Sequence, residues 1–247
     1  MSDWLICPQR QVRAKLRLFC FAYAGGSAWI FRPWAKQLPA NIEVYAIELP
    51  GRGKRLVEPA LTDLDDIIHL LGPQLLPLLD LPFAFFGHSM GALVAFELCR
   101  WLRRTVQLSP AQFWVSAARA PQLPVEPPLM HQLPEQDFIN RLKQYQGTPI
   151  SVLNNSELMA LMLPTLKADF TVLETYAYQP RAPFTFPVTG FWGAQDNIVS
   201  QADVAAWQVH TTQFELAAIA GDHFFMQRPQ FLPKLLPTLS ELVQCQQ

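Results

Sequence analysis

The sequence has little charge and almost no charge imbalance. Charged residues make up 16% of its 247 residues, and the formal net charge is −1. Proteins that bind nucleic acid need a basic surface to meet the phosphates, so this balance argues against a nucleic-acid partner. Half of the residues are hydrophobic, which suits a globular chain with a large buried core and an apolar pocket.

Membrane-spanning and targeting patterns are also missing. The most apolar stretch, residues 70–86, is interrupted by three prolines and by Asp80, so it does not form an uncharged run of membrane-spanning length. The first eight residues have no cationic start followed by an apolar core. We therefore predict no signal peptide and a cytoplasmic location.

The four cysteines are scattered and lack the spacing of metal ligands. They stand at positions 7, 20, 99 and 245. In a chain of this length such scattered cysteines predict free thiols in a reducing compartment rather than a disulfide framework.

One short motif stands out, Gly-His-Ser-Met-Gly at residues 87–91. It follows the apolar run 81–86 and precedes the apolar-faced stretch 92–98, a pattern typical of a buried strand, a tight turn and a helix. In such a turn the serine hydroxyl is exposed at the carboxyl end of the strand, and the helix directs its positive end towards it. This context predicts Ser89 as a nucleophile.

Strands and helices alternate along most of the chain. Further strands are predicted near residues 16–21, 42–47, 112–117, 186–192 and 213–219. Helices are predicted near residues 28–37, 63–79, 200–207 and 229–243. This alternation predicts an α/β fold with a mainly parallel, doubly wound sheet that helices cover on both faces.

The stretch from about residue 121 to residue 179 breaks the alternation. It opens with prolines and continues with amphipathic helices rich in Leu and Met, predicted at 135–145 and 157–175. These are either ordinary connecting helices or a cap, and their length and surplus of apolar residues favour a helical cap over the active site. We predict a single domain over residues 1–247 that carries this segment as a lid.

A nucleophilic serine needs a histidine to accept its proton. His223 follows the last predicted strand, which is where a doubly wound hydrolase has its base. The other histidines are expected in other roles: local packing for His88, surface positions for His69 and His210, and a place in the cap for His131.

The histidine needs an acid that fixes its tautomer and stabilises the imidazolium. The loop after the strand at 112–117 has no carboxylate before Glu126, whereas the next strand ends at Asp196. Asp222 is too close in the chain to His223 for an easy approach, and we expect it to shape the loop or lie at the surface. Asp196 is therefore the predicted acid.

Backbone amides are expected to complete the site as an oxyanion hole. The Gly25-Gly26 turn lies where such a hydrolase needs an N–H aimed at the top of the nucleophile strand. The predicted donors are the N–H groups of Ala24, beside this turn, and of Met90, at the start of the helix. Such donors commonly contribute about 3 kcal/mol each to the transition state. The chemistry requires no metal and no organic cofactor.

With these segments in hand, the chain resembles the type II thioesterases, the stand-alone editing hydrolases of polyketide and non-ribosomal peptide assembly lines. The resemblance covers nearly the whole chain. It rests on Phe-Ala-Tyr-Ala-Gly-Gly at 21–26, Leu-Pro-Gly-Arg-Gly-Lys-Arg at 49–55, the serine motif, the pattern Asp169-Phe170 with Glu174, Tyr176 and Tyr178, and Gly-Asp-His-Phe-Phe at 221–225. Two small residues depart from the family pattern: Ala22 replaces a proline and Ala117 replaces a glycine.

The resemblance implies an α/β-hydrolase fold and hydrolysis of acyl groups from the phosphopantetheine arm of acyl and peptidyl carrier proteins, which clears stalled or mis-primed chains. Carrier domains are thus the expected partners of a monomer that binds neither nucleic acid nor membrane. An acidic carrier helix could meet a group of basic residues, although such residues are also common on ordinary solvated surfaces: Arg32, Lys36, Arg52, Lys54 and Arg55.

Two other functions stay open. A general carboxylesterase or lipase that acts on free esters uses the same three side chains. A non-catalytic binding module can also occupy a hydrolase scaffold, because fold does not fix function. The intact serine, acid, histidine and glycine turn argue against the second alternative.

Overall fold

Within the residues that the structure describes, a single sheet of seven strands forms the centre of the fold. The computed structural model describes residues 3–145 and 154–244. The strands lie in the order β1-β3-β2-β4-β5-β6-β7. In chain order they are β1 (Leu5–Ile6), β2 (Leu16–Phe21), β3 (Ile42–Ile47), β4 (Phe83–His88), β5 (Gln112–Ser116), β6 (Val188–Gly193) and β7 (Phe214–Ile219).

All neighbouring strands run parallel except β1, which pairs antiparallel with β3. The predicted mainly parallel sheet is therefore confirmed. The two-residue strand β1 was not predicted, because so short a segment carries no periodicity.

The α-helices of the described residues lie between the strands and after the last one. They are α1 (Arg32–Gln37), α2 (Leu64–Leu75), α3 (Met90–Thr105), α4 (Glu135–Tyr145), α5 (Ser156–Thr175), α6 (Gln201–Ala205) and α7 (Leu232–Gln244). Helix α2 is shorter than predicted, and a 3-10 helix over Leu76–Leu78 follows it. The last helix begins three residues after Pro229, where the sequence pattern had placed its start.

The sheet is buried on both faces because successive side chains of a strand point to opposite sides. In β4, Phe83 and Phe85 join the core beneath α2 and α3. Their neighbours Ala84 and Phe86 join a second core, which contains apolar residues of α1 and α7. The unbroken apolar run that predicted this strand thus supplies core residues to both faces of the sheet.

The segment between β5 and β6 contains α4 and α5, which were predicted in the lid. Its side chains form a third apolar cluster that includes Phe138, Leu142, Leu163 and Phe170, and Ala24 packs against it. The helices therefore have a small core of their own next to the main body. That the segment moves as a lid stays a prediction.

Two expectations from composition concern the whole chain. Cys7, Cys20 and Cys99 are free thiols, whereas Cys245 lies outside the described residues. Among the described helices, not one is both long and apolar enough to cross a membrane.

Candidate active site

Ser89 lies in the sharp turn between β4 and α3. Its backbone has φ 53° and ψ −120°, a conformation that is rare for a residue with a side chain and costs on the order of 1–3 kcal/mol. The N–H of Ser89 donates to the carbonyl oxygen of Ser116 at 2.8 Å. The strained turn is thereby held against the end of the neighbouring strand β5.

The two glycines of the motif are required by close approach of the backbone. A Cβ on Gly87 would lie 2.5 Å from Cα of Ala92, and a Cβ on Gly91 would overlap the carbonyl oxygen of Phe21. The absent side chains let α3 approach the ends of β4 and β2. The start of α3 is therefore set directly beside the turn that follows β2.

The structure brings Ser89, His223 and Asp196 together. Nε2 of His223 lies 3.2 Å from Oγ of Ser89, and its Nδ1 lies 2.8 Å from Oδ2 of Asp196. The loops that carry the last two residues are joined by Gln195, whose side-chain oxygen accepts from the N–H of Gly221 at 2.6 Å. The three residues predicted as nucleophile, base and acid thus form one hydrogen-bonded chain.

Asp196 is fixed and held as a carboxylate. Its Oδ1 accepts the backbone N–H groups of Ile198 and Val199, at 2.8 and 3.0 Å. Burial by itself would raise the pKa of Asp196, but the hydrogen bond and charge of His223 and the two amides lower the pKa below its usual value. The carboxylate can therefore accept the Nδ1–H of His223.

His88 packs against His223, in the local packing role expected of it. It is buried, its Nδ1 lies 2.8 Å from Oγ of Ser116, and its ring centroid lies 5.4 Å from that of His223. Burial, together with the nearby His223, holds the pKa of His88 well below its usual value. His88 is thus a neutral neighbour of His223.

The predicted oxyanion donors, Met90 and Ala24, belong to the start of α3 and to the turn after β2. Met90 is the first residue of α3, so its N–H is one of the helix amides without an intrahelical partner. Ala24 lines the same cavity as Ser89. The next two amides are engaged elsewhere, because Gly25 donates to Oδ2 of Asp169 at 2.6 Å and Gly26 donates to the carbonyl of Tyr23 at 2.8 Å.

A cavity of about 550 Å³ opens at Ser89 and His223, a volume typical of small-molecule sites. Its wall is mostly apolar and comes from the turn after β2, the loop after β5, and helices α3, α4 and α5. Apolar and aromatic residues of the wall include Tyr23, Leu93, Leu123, Val125, Leu142, Tyr145, Met162, Leu166, Phe170, Leu173, Tyr176 and Tyr178. The helices of the predicted lid therefore form a large part of the wall.

Glu174 is an acidic residue within this largely apolar wall. Its carboxylate accepts the N–H groups of Met130 and His131, at 2.7 and 2.9 Å, and lies 2.6 Å from Nδ1 of His131. Glu174, on α5, thus binds the segment before α4 through both the backbone and the side chain of His131. Within residues 3–145 and 154–244, His, Cys, Asp and Glu residues form no group of three or more able to hold a metal ion.

Two expectations about surface residues are wrong. Arg52 and Arg55, predicted as candidates for carrier docking, are only 6% and 7% exposed. Arg52 pairs with Asp169, and Arg55 pairs with Glu58. His210, expected at the surface, is also buried and lies 2.5 Å from Oε1 of Gln122 through its Nε2. The sequence did not reveal these partners. Asp169 is far from Arg52 in the chain, and Gln122 is far from His210, so neither residue type nor position near a helix end could indicate the contact.

Asp222 has the role expected of it at the loop. It forms an ion pair with Arg228 at 2.8 Å and accepts the N–H of Phe224 at 3.0 Å. His69, on α2, is exposed, as expected.

Asp169 is the residue near the site that sequence reasoning did not assign. It stands on α5, is 1% exposed, and binds both the turn at Gly25 and the side chain of Arg52. Positions 52 and 169 are 117 residues apart, so periodicity and spacing cannot connect them. Both belong to segments that resemble family motifs, and an Asp within a predicted apolar helix was a further signal in the sequence.

The parallel sheet, the strained serine turn and the loops that carry His223 and Asp196 define an α/β-hydrolase fold with a serine-centred site. A family model described as "Thioesterase domain" matches residues 16–241. The chain therefore belongs to the thioesterase family, and the predicted fold and family resemblance are confirmed.

Individual relatives agree with this assignment. The chain is 41% identical to the gramicidin S biosynthesis protein GrsT of Aneurinibacillus migulanus, covering 94% of this chain and 91% of GrsT. It is 36% identical to the thioesterase PikA5 of Streptomyces venezuelae, covering 85% of this chain and 75% of PikA5. The solved structure of BorB, a type II thioesterase from the borrelidin biosynthetic cluster, superposes with a TM-score of 0.87 at 32% identity, covering 98% of this chain and 99% of BorB.

Proposed function

We propose that this protein is a stand-alone editing thioesterase that hydrolyses acyl groups from the phosphopantetheine arm of acyl and peptidyl carrier proteins. Ser89, His223 and Asp196 are its catalytic residues. The observation that carries the proposal is the hydrogen-bonded chain of these three side chains at an apolar cavity, in a member of the thioesterase family. The similarity to GrsT and BorB supports a biosynthetic setting.

The first half of the reaction transfers the acyl group to the enzyme. Nε2 of His223 accepts the proton of Ser89, whose Oγ attacks the thioester carbonyl carbon. The N–H groups of Ala24 and Met90 stabilise the oxyanion, and Asp196 stabilises the imidazolium. The carbon–sulfur bond then breaks and the proton passes from His223 to the sulfur. A thiol with a pKa near 8.5 is a good leaving group, so little acid assistance is needed.

The second half of the reaction releases the acid. Water enters, His223 accepts one of its protons, and the oxygen attacks the acyl-serine carbonyl. The same oxyanion donors stabilise the second tetrahedral intermediate. When that intermediate collapses, the proton returns from His223 to Oγ of Ser89. Every step uses protein groups and water, so we propose that no metal or organic cofactor takes part.

The remaining exposed basic residues form the proposed carrier-docking surface. Arg32, Lys36 and Lys54 are exposed. Lys54 follows the carboxyl end of β3, at the edge of the sheet where the serine turn lies, whereas Arg32 and Lys36 lie on α1. Their charge suits an acidic carrier helix. We also propose that the enzyme acts as a monomer.

Replacement of the nucleophile tests the proposal. Ser89→Ala should abolish turnover of an acyl-carrier thioester while the far-ultraviolet circular dichroism and the free energy of unfolding stay near those of the wild type. A fluorophosphonate probe should label the wild type and not Ser89→Ala. Near-normal turnover by the variant would contradict the assignment.

The choice of substrate separates this function from that of a general esterase. We expect kcat/KM for an acyl-carrier thioester to exceed that for a simple aryl ester of the same acyl group. The opposite order would favour a carboxylesterase or lipase. Absence of both labelling and turnover would favour a binding module.

A further inference from the structure

A buried carboxylate from the lid segment holds the turn that carries Ala24. Asp169 stands on α5, and its Oδ2 accepts the N–H of Gly25 at 2.6 Å. The same carboxylate accepts two bonds from Arg52: Nη1 to Oδ2 at 2.8 Å and Nη2 to Oδ1 at 2.7 Å. A planar guanidinium that binds both carboxylate oxygens fixes the orientation of the carboxylate as well as its position.

The rest of α5 is seated on the same two loops. Oγ1 of Thr165 donates to the carbonyl of Gly51 at 2.6 Å. Leu166 lies over Gly25 so closely that a Cβ there would be 2.5 Å from Cδ2 of Leu166. Successive turns of one helix therefore press on the turn after β2 and on the loop after β3. Gly25 has φ +76°, a left-handed conformation that glycine adopts without steric cost.

The hydrogen bonds of this turn determine the direction of the Ala24 N–H. The carbonyl of Tyr23 and the N–H of Ala24 belong to one planar trans peptide, so they point in opposite directions. The N–H of Gly26 holds that carbonyl at 2.8 Å, and Asp169 holds the N–H of Gly25 on the other side of Ala24. The peptide plane that carries the oxyanion donor is thus held through the Tyr23 carbonyl, and Asp169 holds the next peptide plane along the turn.

We infer that Asp169 is a positioning residue for the oxyanion hole: together with Arg52 it holds Gly25 so that the N–H of Ala24 points at the oxyanion formed on Ser89. The inference rests on the proposed function, because it concerns the same reaction. It also connects the lid segment to catalysis. Helix α5 supplies cavity-wall residues such as Met162 and Phe170, so the helix that contacts the acyl group also sets an oxyanion donor.

The variant Asp169→Asn tests the inference with little change in volume. An Asn offers one acceptor oxygen, and its amide nitrogen would meet a donor from either Arg52 or Gly25. The turn should therefore shift. Because removal of one oxyanion donor typically costs about 10²–10³-fold in kcat, we expect its misdirection to cost about 10- to 100-fold in kcat, with KM changed less.

A boronic acid supplies a readout that a merely structural role would not move. An alkyl boronic acid forms a bond between Oγ of Ser89 and boron while the serine proton passes to His223, which leaves a tetrahedral adduct with an oxygen at the oxyanion position. Its Ki should rise in Asp169→Asn by a factor similar to the loss in kcat, since both report on the tetrahedral geometry.

Glu43→Gln is the matched control. Glu43 is a buried carboxylate that also accepts a backbone N–H, from Gln11 at 3.0 Å, and an Arg side chain, from Arg17 at 3.4 Å. It lies near the amino end of β3, at the edge of the sheet away from Ser89. Glu43→Gln should lower the free energy of unfolding while kcat and the boronate Ki, per folded protein, stay at the wild-type values.

The outcomes separate the possibilities. If Asp169→Asn loses stability as Glu43→Gln does but keeps its kcat and boronate Ki, the inference is overturned. If Asp169→Asn does not fold, Arg52→Lys decides: it keeps the charge but loses the paired bonds, so several-fold losses in kcat and in boronate affinity support the inference and unchanged values overturn it. A wild-type protein without thioesterase turnover, whose boronate binding Ser89→Ala leaves intact, would instead contradict the proposed function itself.

Discussion

Nδ1 of His223 lies 2.8 Å from Oδ2 of Asp196, although 27 positions separate the two residues along the chain. The other candidate acid, Asp222, is adjacent to His223 in sequence but pairs with Arg228 instead. Proximity in sequence is therefore a poor guide to which carboxylate pairs with His223. The loop that ends β6 delivers the carboxylate, and the loop that follows β7 delivers the imidazole.

We predict that Asp196→Asn lowers kcat by on the order of 10³–10⁴-fold, because an amide donor at this position favours the tautomer of His223 whose Nε2 carries the proton. That nitrogen then cannot accept the proton of Ser89. Steady-state turnover of an acyl-carrier thioester measures the effect. Asp222→Asn is the matched control and should keep kcat near the wild-type value; the reverse order of the two variants would show that the acid is misassigned.

Ala117 has a left-handed backbone, with φ 46°, at the position where the family pattern has a glycine. A residue with a Cβ pays about 1–2 kcal/mol in this conformation. Ala118 is buried next to it without such a φ. Glycine at position 117 relieves this strain, whereas glycine at position 118 does not. We therefore predict that Ala118→Gly lowers the free energy of unfolding by about 1–2 kcal/mol more than Ala117→Gly does. Urea unfolding of the two variants measures this difference, and equal losses would contradict it.

Buried neutral histidines should make the protein less stable in mild acid. Burial, and the nearby charge of Arg100, lower the pKa of His210 to about 4. The unfolded chain therefore takes up a proton near pH 6.5 while the folded chain does not, so the stabilisation is complete above pH 6.5 and is lost as the pH falls towards 4. The loss attributable to His210 is on the order of 3 kcal/mol.

Urea unfolding between pH 4 and pH 7 measures this dependence. His210→Gln should show a shallower slope than the wild type. A slope of the same sign should remain, because burial also lowers the pKa of His88. Equal slopes in the two proteins would contradict the role of His210.

Charge reversal at Lys54 tests the docking surface. Lys54 is exposed in the 3-10 helix Gly53–Arg55 that follows β3, near the site edge of the sheet. We predict that Lys54→Glu raises KM for a carrier-bound thioester without changing kcat, and that it leaves a small free thioester unaffected, because the charge acts on docking rather than on chemistry.

Lys15→Glu is the control for this charge reversal. Lys15 is also exposed but precedes β2, at the opposite end of the parallel strands. It should leave the kinetics of both substrates unchanged. The same KM for Lys54→Glu and the wild type would remove Lys54 from the proposed surface. Arg55 is unsuited to this experiment because it is buried against Glu58 and the ring of Trp4.

The sequence determined the fold class and singled out Ser89, His223 and Asp196, the three side chains that the structure brings together. Apolar runs such as the one in β4 predicted buried parallel strands, because a strand covered on both faces must be apolar at every position. The glycines at 87 and 91 indicated the tight turn. No other residue fits there, because a Cβ at either position would overlap backbone atoms. His223 and Asp196 were found from the order of strands, because parallel strands place their carboxyl ends at one edge.

Only the tertiary structure decided which charged residues are surface and which are structural. Arg52 and Lys54 are two positions apart in one basic loop, yet Arg52 is buried against Asp169 and Lys54 is exposed. Their difference arises from a helix 117 residues further along the chain. Pairing of this kind depends on the packing of elements that are distant in the chain. The strands and the serine turn, in contrast, follow from local sequence pattern, and the places of His223 and Asp196 follow from the order of the strands.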